Sequence, residues 1–498
     1  MDSLRFAAPL ASRDAVQCTA IASDHSAKAP PAPRIALRAV WPSLMLSVAD
    51  GIPDSRADGA LWAGRGLSAL VRGGVTVDAG ALHLAFAPEV WAAHNRPYDL
   101  LASDAISGTG NRSPLASPFY YGAHSLDLPS RLGVSPLATA SLGQSALWLT
   151  LHGVDIGAAT SNVWWGPGLR DGLLLGPGAA GIPRAFVRTS RPVETRVGRW
   201  QGEWFIGTLT ESRWFDTDPT NDRRTVSAAR VEWSPPHING LVVGVYRAVQ
   251  RPQQAKYPTA GFSDLFRSAT VTHTDQLAGL FASYATPTLR AYAEIVTPNP
   301  PAGIRALLSA PGDTRGYQFG VERRIARGPV VWLLHADLAN TDPGISIRDR
   351  PPHDFYTGSN TPQGWTQRGQ LLGAGIGPGG TSQWLSVDRL SARYRVGGYV
   401  ERVRWNNEVL TRLYLPTIFR HDVTVRGGVR GGVRATLGGH GYDIGAELSI
   451  GTRLNYLFQN TTWIRDYRTV DVPVSQFRIT LSPDARRSDA RRPPERAR

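Results

Sequence analysis

The feature that most constrains this chain is the length over which apolar and polar residues alternate near its C-terminus. In residues 442–458, YDIGAELSIGTRLNYLF, every second residue from Tyr442 onward forms a mostly apolar face, while Asp443 and Arg453 lie on the other. A period of two predicts a β-strand, because successive side chains point to opposite sides. At ~3.3 Å per residue, the stretch would span roughly 55 Å, longer than strands of soluble proteins usually are.

A second alternating stretch precedes the first. Residues 423–437, VTVRGGVRGGVRATL, place valines on one face and the cations Arg426, Arg430 and Arg434 on the other. Such a row of cations suits a wet lumen or an exposed sheet face better than a protein core. The intervening GGHGY supplies a tight turn, so residues 423–458 are predicted to form one long hairpin.

Similar segments recur between turn-forming sequences such as SPPHING and TPNPPAG, with almost no helical periodicity among them. This pattern predicts antiparallel up-and-down pairing, and closure into a barrel leaves no unpaired edge. Aromatic residues near the strand ends favour a transmembrane barrel, whose rings collect at both lipid interfaces. A soluble propeller or sandwich is the alternative. The segments are 145–159, 201–215, 224–235, 239–249, 276–286, 289–297, 316–325, 329–340, 382–405 and 474–483.

The two ends of the chain differ from the rest in composition. Residues 1–58 are rich in Ala, Pro and Ser and are interpreted as a flexible or mis-started segment, and 483–498 as a charged tail. The barrel is therefore expected over 59–482. The start has no cationic and apolar signal-peptide pattern, so export is expected to depend on a start upstream of the given chain, or else the protein is cytoplasmic.

Charge and motifs limit the functional classes. The formal net charge is +14, but lysine occurs only at Lys28 and Lys256 and the arginines are scattered along the chain, so a nucleic-acid partner is not expected. With Cys18 as the single cysteine, no internal disulfide or cysteine-ligated metal is expected. GIGPGG at 375–380 is interpreted as a Gly-rich loop, because a strand pattern rather than a helix follows it.

No catalytic motif singles out an enzyme, and no cofactor or metal is expected. Histidines near carboxylates, such as His335 with Asp337, lack metal-ligand spacing. A glycan-active enzyme stays open as an alternative, because the carboxylate pairs of glycosidases are defined by distance in space and not by sequence spacing.

Two blocks carry a resemblance to a known family. Residues 162–192 contain Trp164, Trp165, Gly166, Pro167 and Gly168, followed by a Leu-rich run, a small-residue turn and Pro183. Residues 355–380 contain an aromatic-rich loop, then Arg368-Gly369 and a Gly-rich turn. Together with 59–97, which is similar to an opening hairpin, they resemble the Wzi-type capsule assembly family over about 59–482.

The resemblance implies an outer-membrane β-barrel of about 18 strands with a partly plugged lumen, in the outer membrane of a Gram-negative-type bacterium. It implies a non-enzymatic lectin for capsular polysaccharide that assists capsule or exopolysaccharide assembly, without a cofactor. The chain is expected to contact outer-membrane lipid as a monomer. A porin or exporter with a lumen lined by Arg426, Arg430 and Arg434 is the alternative.

Candidate polysaccharide contacts are aromatic and polar residues of the longer loops. They are Trp214, Asp216, Asp218, Tyr356, Trp365, Gln367 and Arg368. For Trp164 and Trp165, two functions remain open. The pair, with its Gly-Pro-Gly turn, either braces the barrel from inside, the interpretation we favour, or stacks on sugar rings.

Overall fold

The computed structural model describes residues 35–53, 56–98, 125–253, 260–300, 315–342, 355–407, 421–437, 440–458 and 471–483. The first strands are β1 (Ala36–Gly51), β2 (Gly66–Ala79), β3 (Leu82–Phe86), β4 (Glu89–Ala93), β5 (Leu137–Ser141), β6 (Ala146–Leu151), β7 (Val154–Ala159), β8 (Arg184–Thr189), β9 (Val193–Thr195), β10 (Gly198–Thr210), β11 (Arg223–Ser234) and β12 (Leu241–Pro252). They are followed by β13 (Asp275–Ala285), β14 (Leu289–Pro298), β15 (Gly316–Arg327), β16 (Val330–Asn340), β17 (Thr366–Gln367), β18 (Gln370–Leu371), β19 (Thr381–Leu390), β20 (Tyr394–Trp405), β21 (Asp422–Leu437), β22 (His440–Leu454) and β23 (Val472–Pro483).

The strands form a closed antiparallel barrel of 18 strands. Apart from three interrupted strands and the pairing of β16 with β19, consecutive strands pair with each other. β1 closes the ring by pairing with β23 from Leu44↔Leu481 to Gly51↔Val474. Three strands of the barrel are each divided into two pieces. β3 and β4 make up one of them, and both pair with β2. β5 and β6 make up the next, with β5 paired to β4 and β6 paired to β3, and β8 and β9 make up the third, both paired to β10. β17 and β18 form a separate small hairpin inside the connection between β16 and β19.

Helical structure among the described residues is limited to Asn407, at the edge of the part that the structure describes, and three short turns. These are a 3-10 helix at Phe262–Phe266, a four-residue α-helix, α1, at Ala269–Thr272 and a 3-10 turn at Tyr456–Phe458. No helix in this part of the chain is long and apolar enough to cross a membrane.

The long C-terminal hairpin is confirmed up to Leu454, because β21 and β22 pair continuously from Val423↔Leu454 to Leu437↔His440. The last predicted strand residues do not continue it, since Tyr456–Phe458 form a 3-10 turn. The segments 145–159 and 382–405 each contain two strands with a turn between them. The assignment of all of residues 1–58 to a flexible segment is wrong, since β1 begins at Ala36 and is the strand that closes the barrel. Of the predicted tail 483–498, residues 484–498 lie outside the described part.

The alternation in the sequence separates an outward-facing apolar wall from an interior. On β21, Val425, Val429 and Val433 are 49%, 62% and 53% exposed, while Arg426 on the opposite face is buried. Other strands repeat this pattern with exposed apolar side chains on the outside. These include Val231, Val245, Leu280, Phe319, Val321, Leu385, Val387, Val396, Val400, Leu448 and Ile450. A continuous apolar outer band is typical of transmembrane barrels.

The two ends of the barrel differ in the length of their connections. One end, the short-turn end, has links such as 80–81, 152–153, 328–329 and 438–439. The other, the long-loop end, has links such as 94–136, 160–183, 211–222 and 341–380. Six large aromatic side chains near the short-turn end are solvent-accessible: Trp41, Trp200, Trp233, Tyr284, Trp332 and Tyr394. They form an aromatic girdle of the kind found at lipid interfaces.

Candidate functional site

The connection between β7 and β8 folds into the barrel and forms the first half of an internal plug. Trp165 is 1% exposed, and Leu173, Leu174 and Leu175 are equally buried. The Trp165 amide donates to the Leu175 carbonyl at 3.0 Å, which closes the Gly-Pro-Gly turn onto the leucine run. The apolar run is therefore explained by burial inside the barrel, where it packs against apolar side chains of the inner wall such as Phe205, Val226 and Leu277.

Gly166 is required for that turn on two counts. Its φ of 98° lies in the region that favours glycine, and a Cβ built there would lie 2.6 Å from Glu294 Oε1 on β14. The backbone therefore runs directly against the wall. Wall side chains also hold it there, since Tyr292 Oη accepts the Leu169 amide at 3.2 Å and Arg290 donates to the Pro167 carbonyl at 2.9 Å.

The second block, 355–380, forms the other half of the plug. Tyr356 joins the two halves, because its hydroxyl donates to the Leu173 carbonyl at 2.6 Å and accepts the Ala374 amide at 2.8 Å. The backbones also bond directly, with the Gly176 amide donating to the Leu372 carbonyl at 2.6 Å. The two blocks that carried the family resemblance thus pack against each other in one buried cluster.

One carboxylate of the wall fastens the plug by charge. Glu401 on β20 accepts from Arg170 of the plug at 2.7 Å, from Arg56 of the β1–β2 connection at 2.7 Å and from Arg426 on β21 at 2.6 Å. Glu401 is fully buried. A charge buried to this degree is stable only when it is paired and hydrogen-bonded, as it is here.

The three predicted lumen arginines all lie on the inner face and all have carboxylate partners. Arg426 pairs with Glu401, Arg430 with Asp388, and Arg434 with Asp443 at 2.9 Å. Asp388 also pairs with Arg395 at 3.1 Å. The arginine row is therefore neutralised within the wall and does not present a line of uncompensated positive charge.

The structure divides the seven candidate polysaccharide contacts into two groups. Tyr356, Trp365 and Gln367 are at most 1% exposed, so a polymer at the surface does not reach them, and their prediction as direct contacts is corrected to a structural role in the plug. Trp214 and Asp216 are half-buried, and Asp218 and Arg368 are exposed. The sequence alone could not separate the groups, because both lie in aromatic-rich connections at the long-loop end.

Arg368 stands at the tip of the β17–β18 hairpin in an unusual conformation. The two turn residues, Arg368 and Gly369, have φ values of 52° and 78°, which is the pattern of a type I′ turn. The Arg368 amide donates to the Thr210 carbonyl at 2.8 Å, and Gln367 Oε1 accepts the Thr210 amide at 2.7 Å. The hairpin is thus fixed to the end of β10, and its exposed arginine is held by a rigid support.

Trp214 lies in the neighbouring β10–β11 connection. The guanidinium of Arg213, an exposed residue outside the seven predicted contacts, is 4.5 Å from the centre of the Trp214 ring. The indole also packs against Gly133, where a Cβ would meet Trp214 Nε1 at 2.9 Å. We use the name surface platform for Arg213, Trp214 and Arg368.

Buried carboxyls support this platform from below. Asp127 accepts from the Ser212 hydroxyl at 2.6 Å and from its amide at 2.7 Å, and Glu211 accepts from Gln363. Burial raises the pKa of Asp127 to about 6 and that of Glu211 to about 8. Among the residues that the structure describes, no group of three His, Cys, Asp or Glu side chains is arranged to hold a metal ion.

An 18-strand barrel with an apolar outer band, long loops at one end and a plugged interior defines the class of outer-membrane β-barrel proteins. Within that class, the chain belongs to the Wzi capsule assembly family: the family model described as capsule assembly protein Wzi matches residues 89–440. No curated protein sequence matches the chain.

Solved structures match the fold at low sequence identity. One is Wzi of Escherichia coli, described as an outer-membrane protein involved in group 1 capsule assembly and a carbohydrate-binding β-barrel. It matches with a TM-score of 0.58 at 12% identity, over 89% of this chain and 84% of that one. A BenF-like porin from Pseudomonas fluorescens matches with a TM-score of 0.43 at 9% identity, over 90% of this chain and 99% of that one.

Proposed function

We propose that this protein is a non-enzymatic surface lectin, monomeric in the outer membrane of a Gram-negative-type bacterium, that binds capsular or exopolysaccharide and assists its assembly. The observation that carries the proposal is that the two family blocks fill the barrel interior and support exposed residues at the long-loop end. Long loops of outer-membrane barrels face outward, and short turns face the periplasm. The surface platform would then meet polymer outside the cell.

The chemistry of the platform fits a sugar polymer. An indole offers a flat apolar face to a sugar ring, and arginines donate paired hydrogen bonds to hydroxyls and carboxylates. Arg213 and Arg368 are both exposed, and an acidic polysaccharide would match them. Asp216 and Asp218 order the same loop, since each accepts a backbone amide two residues further along, at 2.8 Å and 2.9 Å.

Binding is tested with the full chain in detergent against immobilised alginate, an acidic polysaccharide, and dextran, a neutral one. We expect retention on one of them, and a roughly tenfold loss for Trp214→Ala, because the variant loses both the aromatic face that would stack on a sugar ring and the ring over which the Arg213 guanidinium lies. Trp200→Ala, at the opposite end, is the matched control and should bind normally. Equal binding by both variants would refute the platform as the binding site.

Ion conductance separates a lectin from a porin or exporter. Paired arginines and a packed plug favour a closed barrel, so the wild-type protein in planar bilayers is expected to give no steady current. A stable, anion-selective current would instead support the alternative of an arginine-lined pore. Release of reducing ends from either polysaccharide on incubation with the protein would point to the glycan-active enzyme and against the lectin.

A further inference from the structure

A segment of the β12–β13 connection folds outward over the barrel wall and not into the lumen. We call residues 260–274 the outer strap. The Ala260 amide donates to Thr225 Oγ1 on β11 at 2.8 Å, Leu265 is buried against Val249, and Asp264 accepts from Arg251. The strap is therefore held on the wall by an apolar contact, a hydrogen bond and an ion pair.

The wall under the strap faces lipid. On β12, Tyr246 and Ala248 point inward and are buried against the plug. Val245 points outward and is 54% exposed, at a level between the strap and the short-turn end. Alternation thus places Arg247 on the outer side, level with the edge of the strap. Its cross-strand neighbours on both sides are alanines, Ala229 on β11 and Ala278 on β13.

Arg247 differs from the interior arginines in the partners it has. Its guanidinium donates to the Arg267 carbonyl at 2.8 Å and to Gln276 Oε1, and both acceptors are neutral. No carboxylate lies within salt-bridge distance of Arg247 or of the exposed Arg267 among the residues described. The nearby Asp264 is already engaged by Arg251. Two cations on the lipid-facing side therefore have no counter-ion from this part of the chain.

The strap that bonds to Arg247 and carries Arg267 also carries two exposed apolar side chains. Phe262 and Phe266 are 50% and 73% exposed, with ring centres 5.2 Å apart, and Phe262 packs edge-on against Trp204 on the wall. Exposed phenylalanines next to the exposed Arg267 and the half-buried Arg247, at the end of a transmembrane barrel, are the composition of a membrane interface. The aromatic rings suit the boundary between acyl chains and head groups, and arginine suits the phosphate.

We propose that Arg247 and Arg267, flanked by Phe262 and Phe266, form a binding site for the phosphate head group of a lipid in the outer leaflet. The apolar wall below the site continues through Val245 and Leu280, so the acyl chains would lie along the barrel. The exposed guanidinium of Arg267 can meet a phosphate through two parallel N–H donors, while Arg247, whose Nη2 already bonds to Arg267 and Gln276, contributes positive charge and its second amino group. Such charges are tolerated at the interface far better than at the bilayer centre. The site is separate from the surface platform and does not depend on polysaccharide binding.

The test is native mass spectrometry of the full chain in micelles doped with lipid A or with the same lipid lacking phosphates. We expect wild-type protein to retain the phosphorylated lipid and to prefer it by about tenfold, the ratio given by one or two charge-assisted hydrogen bonds. Arg247→Gln and Arg267→Gln should each abolish most of that preference. Phe262→Ser with Phe266→Ser should weaken retention of both lipids.

Arg323→Gln is the matched control, because Arg323 is also exposed on the outer wall but lies near the short-turn end. It should leave the preference unchanged. A loss of preference in Arg267→Gln cannot be attributed to misfolding, because the Arg267 side chain is exposed and its replacement leaves the ion pair between Arg251 and Asp264 intact. Equal retention of the two lipids by wild-type protein, or inorganic phosphate displacing the lipid at equal concentration, would overturn the proposal.

Discussion

The guanidinium of Arg170 lies 3.5 Å from the centre of the Trp384 ring while it donates to Glu401 at 2.7 Å. Arg170 belongs to the plug, and the other two residues belong to neighbouring wall strands. Trp384 in turn stacks on Tyr399 with ring centres 3.9 Å apart. A single plug side chain thus binds the wall through both its charge and its flat face, an arrangement that lysine could not reproduce.

Loss of the shared carboxylate should destabilise the plug more than loss of any one of its arginines. Glu401→Gln leaves Arg56, Arg170 and Arg426 without their common partner, and breaking a buried ion pair costs about 3–5 kcal/mol. We expect a lower unfolding temperature in detergent and intermittent channel openings in planar bilayers. Arg56→Gln, which leaves two cations on the carboxylate, is the control. An unchanged Glu401→Gln protein would contradict the role of this cluster.

The tight approach of the plug to the wall can be tested at Gly166. Gly166→Ala introduces a Cβ where Glu294 already lies 2.6 Å away, at a φ of 98°. The free energy of unfolding is expected to fall by about 2–4 kcal/mol, because the backbone is strained and the Glu294 side chain must be displaced. Gly153→Ala has a similar φ of 88° in a turn with nothing within 4 Å, and should cost only about 1 kcal/mol. If both variants lose the same free energy of unfolding in denaturant, the positive φ alone determines the cost and the close approach to Glu294 adds nothing.

The strained arginine of the platform predicts a conflict between stability and function. Arg368 has a φ of 52°, which costs a non-glycine residue roughly 1–2 kcal/mol. Arg368→Gly should therefore raise stability by about 0.5–1 kcal/mol, after the greater flexibility of unfolded glycine is counted, and should weaken binding to an acidic polysaccharide several-fold. Arg213→Gln separates the effects, since it removes a cation without relieving strain. Undiminished binding by Arg368→Gly would exclude Arg368 from the site.

The strand pattern could be predicted from sequence because alternation is local, but partners could not. The alternation with a period of two predicted β21, β22 and the position of Arg426 on the inner face. The partner of Arg426, Glu401, lies 25 residues earlier in the chain, and only the folded barrel brings the two side chains together. The β1 sequence, ALRAVWPSLMLSVADG, was missed because Pro42 interrupts its alternation and the register shifts between Val40 and Ser43. Proline-rich residues precede it and favoured a flexible interpretation.

The sequence showed which segments form the plug, but not which of their residues are buried and which lie at the surface. Trp165, Tyr356 and Trp365 are aromatic residues between turns, and aromatics in such loops suit either a sugar platform or a buried brace. Only the folded barrel shows that the apolar blocks pack on each other. Arg213 was overlooked because an isolated arginine in an arginine-rich chain gives no signal until its guanidinium is seen over the Trp214 ring.

The raised pKa values under the platform predict that it loosens as pH rises. The pKa of Asp127 is about 6 and that of Glu211 about 8, both above the usual carboxyl range because of burial. Their stabilising contribution is full at pH values below the ordinary carboxyl pKa of about 4 and is lost as pH rises from there to 6 for Asp127 and to 8 for Glu211. Hydrogen-exchange protection in 125–135 and 211–222 should fall over that window by up to about tenfold per pH unit for each group that is still protonated. Glu211→Gln should remove the upper part of the change, and Asp218→Asn, at the exposed loop, should not.

The position of β1 makes a final prediction about truncation. A variant lacking residues 1–58 loses the strand that pairs with both β2 and β23, so the barrel would be left with two open edges. A variant lacking only residues 1–34 keeps every described strand and is the matched control. We expect the shorter truncation to retain the gel mobility shift between unheated and boiled samples that marks a closed barrel, and the longer one to lose it. Retention of the shift by both variants would mean that β23 and β2 can pair directly, and that β1 is not needed for closure.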